Sequence, residues 1–590
     1  MKKILKISVL IGAILLVIYA CNKSFLKKPP QGSLDEAVLA TKDGVQGLLV
    51  GAYSLLDGEG GANGNIGSSG SNWIYGGLSG GDAHKGSQPG DNGTLLYPFQ
   101  TWTVESNNAY IEEKWQTMYD GIQRSNDVLH VMRIATGLSP LDTLEFSAQA
   151  RFLRGFYHFE LKKVFNKVPY IDENISYANG NWNQPNDKDI WPNIEADFLY
   201  AMNTLPAIQP YKGQVNKYAA EAFLAKAYMF QQKYTDALPL LNDLITNGVT
   251  AQGEKYGLQD HYADNFNAAF DNSKESVFGC QASVNDGAGG NNGNYGDVTN
   301  FPIAGPGTNC CGYNQPSYSL VNTFKTDPVS GLPDPIHYND VDVKNDEGIL
   351  SSQPFTPYTG TLDPRLDWTV GRRGIPYLDW GIMAGNDWIR DQASEGPYLP
   401  VKNVTYKSQQ GVYTDNSSWT NGLTAINYTF IRFADVLLWA AEVEVEIGSL
   451  DQAEAYVNMV RNRAADTSGW VKAIPGSQNY NGYAANYFIK PYPTGYFAAQ
   501  GQDNARTLVR FERRIEFGME GHQFFDLVRY GTAETELDAY ALHESTISGY
   551  TVMSGAKFTK GKSEYFPIPQ SEIDKSVVNG TQVLQQNPGY

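Results

Sequence analysis

Three groups of residues could carry chemistry. The first is a set of aromatics interleaved with short polar side chains in glycine-rich stretches. Trp73, Tyr75, Asp82, His84 and Lys85 lie within Gly58–Gly93, which is dense in Gly, Ser and Asn. Tyr295, Asn300, Tyr313 and Asn314 lie in a second such stretch, beside the adjacent pair Cys310 and Cys311. Long loops that keep their aromatics read as functional surface, because disordered segments are poor in such residues. The second group is the run Glu512–Arg529, where Glu and Arg alternate with Phe511, Ile515, Phe517, Phe524, Phe525 and Leu527. Charges set among core aromatics need partners, since an unpaired buried charge is costly. This run reads as a helix-packing ion network, with catalysis by Glu512, Glu516 or Glu520 the minor alternative. The third group is Asp340-x-Asp342 with Asn345, Asp346 and Gly348. It faintly resembles a calcium loop, but Lys344 and Ser351 occupy ligand positions, so a solvated acidic loop is expected and no metal is assigned.

Composition narrows the ligand. The chain has 590 residues with a formal charge of −18, yet only 18% are charged, while 13% are aromatic. A negative field repels phosphate backbones and excludes nucleic acid as a partner. An uncharged, polar and aromatic surface suits a neutral ligand. No Gly-x-Ser-x-Gly, His-Glu-x-x-His or phosphate loop is present, the seven histidines are scattered, and no cofactor is expected. Cys310 and Cys311 could form a vicinal disulfide or remain two buried thiols.

The first segment bears on compartment. Lys2, Lys3 and Lys6 precede an uncharged run, Ile7–Tyr19, which is too short to span a membrane. Ile18-Tyr19-Ala20-Cys21 resembles a bacterial lipobox, with Cys21 the lipidated residue of a mature chain beginning there.

The elements that must position these residues are mostly helical. Apolar spacing predicts helices over Leu34–Leu56, Asn107–Ala135, Phe146–Phe165 and Trp191–Leu205, and again from Thr507 through Arg529. Ala219–Leu244 and Ala434–Val460 each read as a pair of amphipathic helices. Leu224, Ala225, Tyr228 and Ala237, and then Ala440, Ala441, Glu444 and Ala453, fall at tetratricopeptide spacing. Arg432 and Asp435 are three apart and could pair on one helix face. The interval Gln281–Asn427 has little helical period and reads as loops with short strands. Tyr565–Tyr590 reads as an extended tail.

These pieces together resemble the SusD/RagB family of outer-membrane nutrient-binding lipoproteins over nearly the whole mature chain. The carriers are FLKKPPQG at Phe25–Gly32, ARFLRGFYHFELKKVFNKVPYI at Ala150–Ile171, FIRFADVLLWAAEVEVEIG at Phe430–Gly448 and VNMVRNRA at Val457–Ala464. FERRIEFGMEGHQFFDLVRYG at Phe511–Gly531, then YFPIPQSEI and the terminal QNPGY, complete the order. The resemblance implies a mostly α SusD-like fold, with tetratricopeptide-like helix pairs and a loop-rich subdomain inserted. Its parts would be a lipoprotein signal peptide (1–20), an N-terminal helical region (21–280), a loop-rich insertion (281–427) and a C-terminal helical region (428–590).

The resemblance also implies a non-enzymatic lipoprotein, anchored to the outer membrane and facing the cell exterior, that captures oligosaccharide for a SusC-like TonB-dependent transporter. Sugar rings stack their C–H faces on Trp and Tyr, and their hydroxyls need amides and carboxylates. The expected ligand residues are therefore Trp73, Tyr75, Asp82, His84, Tyr295, Tyr313, Asn314 and Trp388, with Trp380 and Trp419 weaker candidates. Two other classes remain open at this level: a surface glycoside hydrolase, and a tetratricopeptide scaffold that binds only proteins.

Overall fold

A computed structural model describes residues 36–59, 66–176, 179–307, 310–547 and 549–590. Cys21, the lipobox and Phe25–Gly32 lie outside the described residues. The longer helices are α1 (Lys42–Tyr53), α2 (Ala109–Met132), α3 (Pro140–Phe165), α4 (Trp191–Thr204), α5 (Lys217–Phe230) and α6 (Tyr234–Asn247). After a long interval come α7 (Phe433–Ile447), α8 (Leu450–Ala465), α9 (Gln502–Phe517), α10 (Gln523–Tyr530) and α11 (Ala533–Ser545). Among the described residues there are four antiparallel strand pairs: β1 (Ala83–Gly86) with β3 (Tyr313–Pro316), β2 (Ser276–Cys280) with β6 (Tyr428–Arg432), β4 (Val370–Gly371) with β5 (Leu399–Pro400), and β7 (Val577–Val578) with β8 (Thr581–Gln582).

Helix starts follow local chemistry. Ser139 closes a capping box with Asp142, and Pro140 occupies the first turn of α3, where its missing N–H costs nothing. Thr41, Asn216 and Ser449 cap α1, α5 and α8 with side-chain oxygens. The connections between α5 and α6 and between α7 and α8 are two or three residues long, so each pair folds back on itself. Successive helices pack side by side from α1 through α6, and α7 continues the row against α6. Small residues permit close approach. A Cβ on Gly121 would sit 2.6 Å from the Tyr157 ring, and one on Gly155 would sit 3.0 Å from Phe198.

The β2–β6 pair sews the long interval to this row. Cys280 stands opposite Tyr428, so the chain leaves and re-enters the scaffold on neighbouring strands. These strands carry Phe278 and Phe430 into the core, 5.1 Å from Phe152 and 4.8 Å from Phe156. Between them, among the described residues, no helix exceeds six residues. Two sequence expectations need correction. Tyr565–Tyr590 is not extended throughout, since Gln570–Lys575 is helical, and it docks on α3: Phe566 N–H donates to Val164 O and Asn587 Nδ2 donates to Phe165 O. Gly58–Gly93 is not all loop, since Trp73–Leu78 forms a π-helical turn. Asn72 supplies the left-handed residue that starts this turn (φ 53°).

The Glu–Arg run forms the expected buried ion network, but with different partners. The Arg432 guanidinium reaches Glu275 (2.6 Å), Glu516 (3.0 Å) and Glu520 (2.9 Å). Asp435 instead accepts from the Arg432 backbone N–H and pairs with Arg513 at 2.9 Å. Arg365 bridges Glu512 and Glu516, Arg463 holds Glu516 and Glu275, and Arg461 holds Glu512. The i,i+3 spacing offered Asp435 to Arg432, but tertiary packing placed three other carboxylates around the guanidinium.

Candidate functional site

The β1–β3 ribbon brings together the two aromatic stretches. His84 stands opposite Gln315 and Gly86 opposite Tyr313. Trp73 donates its indole N–H to Gly296 O at 2.8 Å and lies 6.4 Å from the Tyr313 ring. Residues more than two hundred positions apart thus form one body.

Most of the expected ligand residues lie inside that body. Trp73, Tyr75, Asp82, His84, Tyr295, Tyr313 and Asn314 are each no more than 6% exposed. Tyr75 donates to Gly67 O and shares hydrogen-bond geometry with Tyr110 O, at 2.9 and 2.7 Å, and packs edge-on against Phe99 and Phe566. His84 stacks on Tyr550 at 4.0 Å and meets Glu544 at 2.8 Å. Burial opposes protonation of this imidazole, but the Glu544 carboxylate outweighs it and raises the pKa. Burial pushes Asp82 up to about 7, with one oxygen on the Met519 N–H. Tyr295 and Tyr313 share hydroxyl hydrogen bonds with the exposed Asn291 and Asn92.

Lys85, with a fully buried side chain, shapes the turn that follows β1. Its ammonium donates to Gly86 O, Gln88 O and Asp91 O at 2.6, 2.8 and 3.2 Å, and lies 3.6 Å from Glu395. Burial draws its pKa down against the attraction of Glu395. Glu395 also accepts from the Tyr97 hydroxyl (2.6 Å) and the Gly86 N–H (2.9 Å). This clamp presents the exposed residues Gln88–Gly90 and Asn92, with Asp91 half-buried between them and paired to Arg390 at 3.1 Å.

Beside the turn, Ser87 N–H donates to Gly312 O, which anchors the segment carrying Cys310 and Cys311. The two cysteines are joined as a vicinal disulfide, and Cys311 holds a left-handed φ of 85°. Trp388 is half-buried. Its indole lies over Gly305, where a Cβ would come within 2.6 Å of it, and its edge meets Tyr377 at 5.7 Å. Trp380 is half-buried and donates to Thr405 O, while Trp419 is 61% exposed. A hollow of about 260 Å³ is lined by Val50, Tyr53, Leu56 and Cys280 together with Asp57, Gln281, Asn291 and Asn292. Burial pushes Asp57 up to about 7, although it accepts from the Tyr295 and Gly296 N–H groups.

The acidic loop binds within the protein: Asp342 meets His543 at 2.9 Å and Asn322 at 2.6 Å. Among the described residues no cluster of three or more His, Cys, Asp or Glu is placed to hold a metal ion. Sequence reading missed Asp91, Asn92, Tyr97, Arg390 and Glu395. The Gln88–Gly93 turn was legible from its Pro, Gly, Asp and Asn content. Glu395, about three hundred positions from Lys85, carried no local signal.

The family model described as the SusD family matches residues 274–590, more than half of the chain. The chain belongs to the SusD family. A second model, described as "Starch-binding associating with outer membrane", matches residues 93–229. SusD-like protein P2 of Formosa agariphila is 23% identical, with 85% of each chain covered. Among solved structures, a laminarin-binding SusD-like protein shares 23% identity with a TM-score of 0.61, covering 93% of this chain and 100% of its own. A SusD-like protein from Bacteroides fragilis shares 18% identity with a TM-score of 0.66, covering 96% and 100%. Surface glycan-binding protein A from Bacteroides thetaiotaomicron, solved with laminarihexaose, shares 20% identity with a TM-score of 0.60, covering 93% and 99%. This SusD-family chain therefore has the mostly helical SusD-like fold of these proteins.

Proposed function

We propose that this SusD-family chain captures a neutral oligosaccharide at the outer face of the outer membrane and passes it, uncleaved, to a SusC-like TonB-dependent transporter. The observation that carries the reading is the rim built on the β1–β3 ribbon. There the turn bearing Asn92 and the segment of the vicinal disulfide meet at the Lys85–Glu395 clamp, the Asp91–Arg390 pair cancels its own charge, and the half-buried Trp388 stands two residues before Arg390. Trp388 stacks on a sugar ring; Asn92, Asp91 and Arg390 take its hydroxyls. Tyr295 and Tyr313 act through their hydroxyls. Trp73, Tyr75, Asp82, His84 and Asn314 hold the turn and ribbon from beneath.

The names of the similar structures, one laminarin-binding and one holding laminarihexaose, support the ligand class. The description of the second family model supports the membrane. Among the described residues no helix is long and apolar enough to cross a bilayer, so attachment would rest on Cys21. Several acyl chains anchor stably, at about 0.8 kcal/mol per buried methylene. The strongest carboxylate candidates for catalysis, Glu512, Glu516 and Glu520, are committed to arginines and a lysine.

Calorimetric titration with a panel of neutral oligosaccharides tests the reading. Binding that Trp388→Ala weakens supports it. Turnover of any panel member by purified protein would sink the binder-only role, as would co-purification with a transporter unaccompanied by glycan binding. Cys21→Ala is expected to release the protein from membranes when the transporter is absent.

A further inference from the structure

Cys310 and Cys311 lie on a segment that touches both the indole and the turn of the rim. Upstream, Gly305 lies under the Trp388 indole, where a Cβ would come within 2.6 Å of the ring. Its turn is compact, since a Cβ on Gly307 would collide with Pro302 O. Downstream, Gly312 O accepts the Ser87 N–H at 2.6 Å, and a Cβ on Gly86 would collide with that oxygen. The N–H groups of Gly312 and Tyr313 both donate to Thr299 O, at 3.3 and 3.2 Å. The Tyr313 hydroxyl accepts from Asn92 Nδ2 at 3.2 Å, and its ring lies 5.5 Å from the Lys85 ammonium. The disulfide therefore follows the seat of the indole by five positions and directly precedes the anchor of the Asn92 turn.

A bond between adjacent cysteines closes a ring around a single peptide, so it restricts the backbone where it forms. Cys311 holds φ at 85°, a left-handed value that residues with a side chain rarely adopt. Opening the ring frees this residue to return to ordinary backbone angles, and the segments on either side would shift with it. Cys311 is 3% exposed and Cys310 is half-buried, so a small thiol meets Cys310 Sγ first. Cys280, on β2, is a buried free thiol.

We propose that the Cys310–Cys311 disulfide positions the glycan rim and makes binding sensitive to thiol reductants. Intact, it holds the Asn92 turn and the seat of Trp388 in place, so less ordering is needed when a sugar binds. A dithiol reductant opens it by exchange. One reductant thiolate attacks Cys310 Sγ, forming a mixed disulfide and releasing the Cys311 thiolate. The second reductant thiol then displaces Cys310 and closes the reductant to its own disulfide. Two electrons pass to the cysteines, and the two protons of the reductant end on their thiols. The inference rests on the glycan-binding role proposed above and adds a regulation of the same site.

The full chain carrying Cys21→Ala is compared in three states: as oxidised, after dithiothreitol, and after reoxidation with diamide. Thiol counting on the unfolded protein should give one thiol (Cys280), then three, then one again. Calorimetric titration uses laminarihexaose, maltohexaose, cellohexaose, xylohexaose and mannohexaose. Affinity for the panel member that binds should fall about tenfold on reduction, as preorganisation is lost, and return on reoxidation. Cys310→Ser/Cys311→Ser should bind like the reduced chain and ignore the reductant. Hydrogen exchange should quicken on reduction at residues 87–93 and 385–390 while α3 stays unchanged. A reduced chain with three thiols and the oxidised affinity overturns the inference alone. So does a disulfide that dithiothreitol leaves intact in the folded chain, a double variant that still responds to the reductant, or exchange that quickens everywhere. Binding of no panel member to the oxidised chain overturns the glycan-binding role and this inference with it.

Discussion

Buried carboxyls behave oppositely at two places in this molecule, the Glu516 ion network and the loops around Asp57, Asp82 and Asp297. In the helical scaffold, Glu516 is opposed by burial but held down to about 2 by Arg463, Arg432 and Arg365. In the loop layer, burial wins. Asp57 and Asp82 are pushed up to about 7 and Asp297 up to about 6. Asp297 has only neutral side-chain partners, among them Ser71, Asn294 and Asn300. The scaffold fixes its geometry with permanent ions between helices. Around Asp57 and Asp297 the loop layer is held by amides, hydroxyls and protonatable acids, while ion pairs such as Lys85–Glu395 and Asp91–Arg390 fix the turn after β1. Ion networks need partners at fixed separations, which helices supply; irregular loops satisfy polar groups one at a time. A surface facing a neutral ligand is better served by the second arrangement, because it carries less field.

Breaking the scaffold network is expected to have the largest effect. Removing one partner leaves an uncompensated buried charge, so Glu516→Gln should destabilise the protein by about 3–5 kcal/mol in chemical denaturation. A loss below about 1 kcal/mol would erase the contrast between the two places. Next in size is Trp388→Ala, which is expected to weaken glycan binding about 30-fold, or about 2 kcal/mol, in calorimetric titration. The melting temperature should change little, since this indole is half-buried.

The pH dependence sharpens the comparison, because its sign differs between the two places. The depressed Glu516 contributes stability that is present above the ordinary carboxyl pKa of about 4.3 and lost as pH falls towards 2. The raised Asp57, Asp82 and Asp297 favour the folded state while protonated. Their contribution is lost as pH rises from about 4 through 6 and 7. Hydrogen exchange corrected for its intrinsic pH dependence should show the segments around Tyr295 and Met519 loosening between pH 5 and 8, while α9 stays protected. Uniform loosening of both places would count against separate electrostatic designs. The smallest effect is expected from salt. Raising ionic strength from about 0.05 to 0.5 M should change glycan affinity less than about twofold, because screening acts on net charge. A steep loss would indicate an ionic ligand.

Much of the scaffold was legible beforehand. The predicted helices over Asn107–Ala135, Phe146–Phe165 and Trp191–Leu205 match α2, α3 and α4 closely, apart from the earlier start of α3 at Pro140. Both helix pairs were also visible, since one apolar stripe per helix is enough to mark them. The candidate site was half legible. The two loops singled out are joined on the β1–β3 ribbon, but Tyr75 and His84 are buried within it, while Asn92, Arg390 and Glu395 went unnoticed. Aromatic residues in glycine-rich sequence announce a packed loop; they do not say which face of the ring meets solvent.

The sequence by itself determined the family, the helical framework, the neutral polar character of the loops and the need for buried charges to find partners. These are properties of residue type and near-neighbour spacing, which survive in one dimension. Only the tertiary structure decided that Arg432 pairs with Glu275, Glu516 and Glu520 rather than Asp435. It also joined β1 to β3 and hid most of the expected ligand aromatics beneath the rim. Those outcomes depend on contacts across hundreds of residues, where burial and competing partners, not spacing, set the lowest free energy.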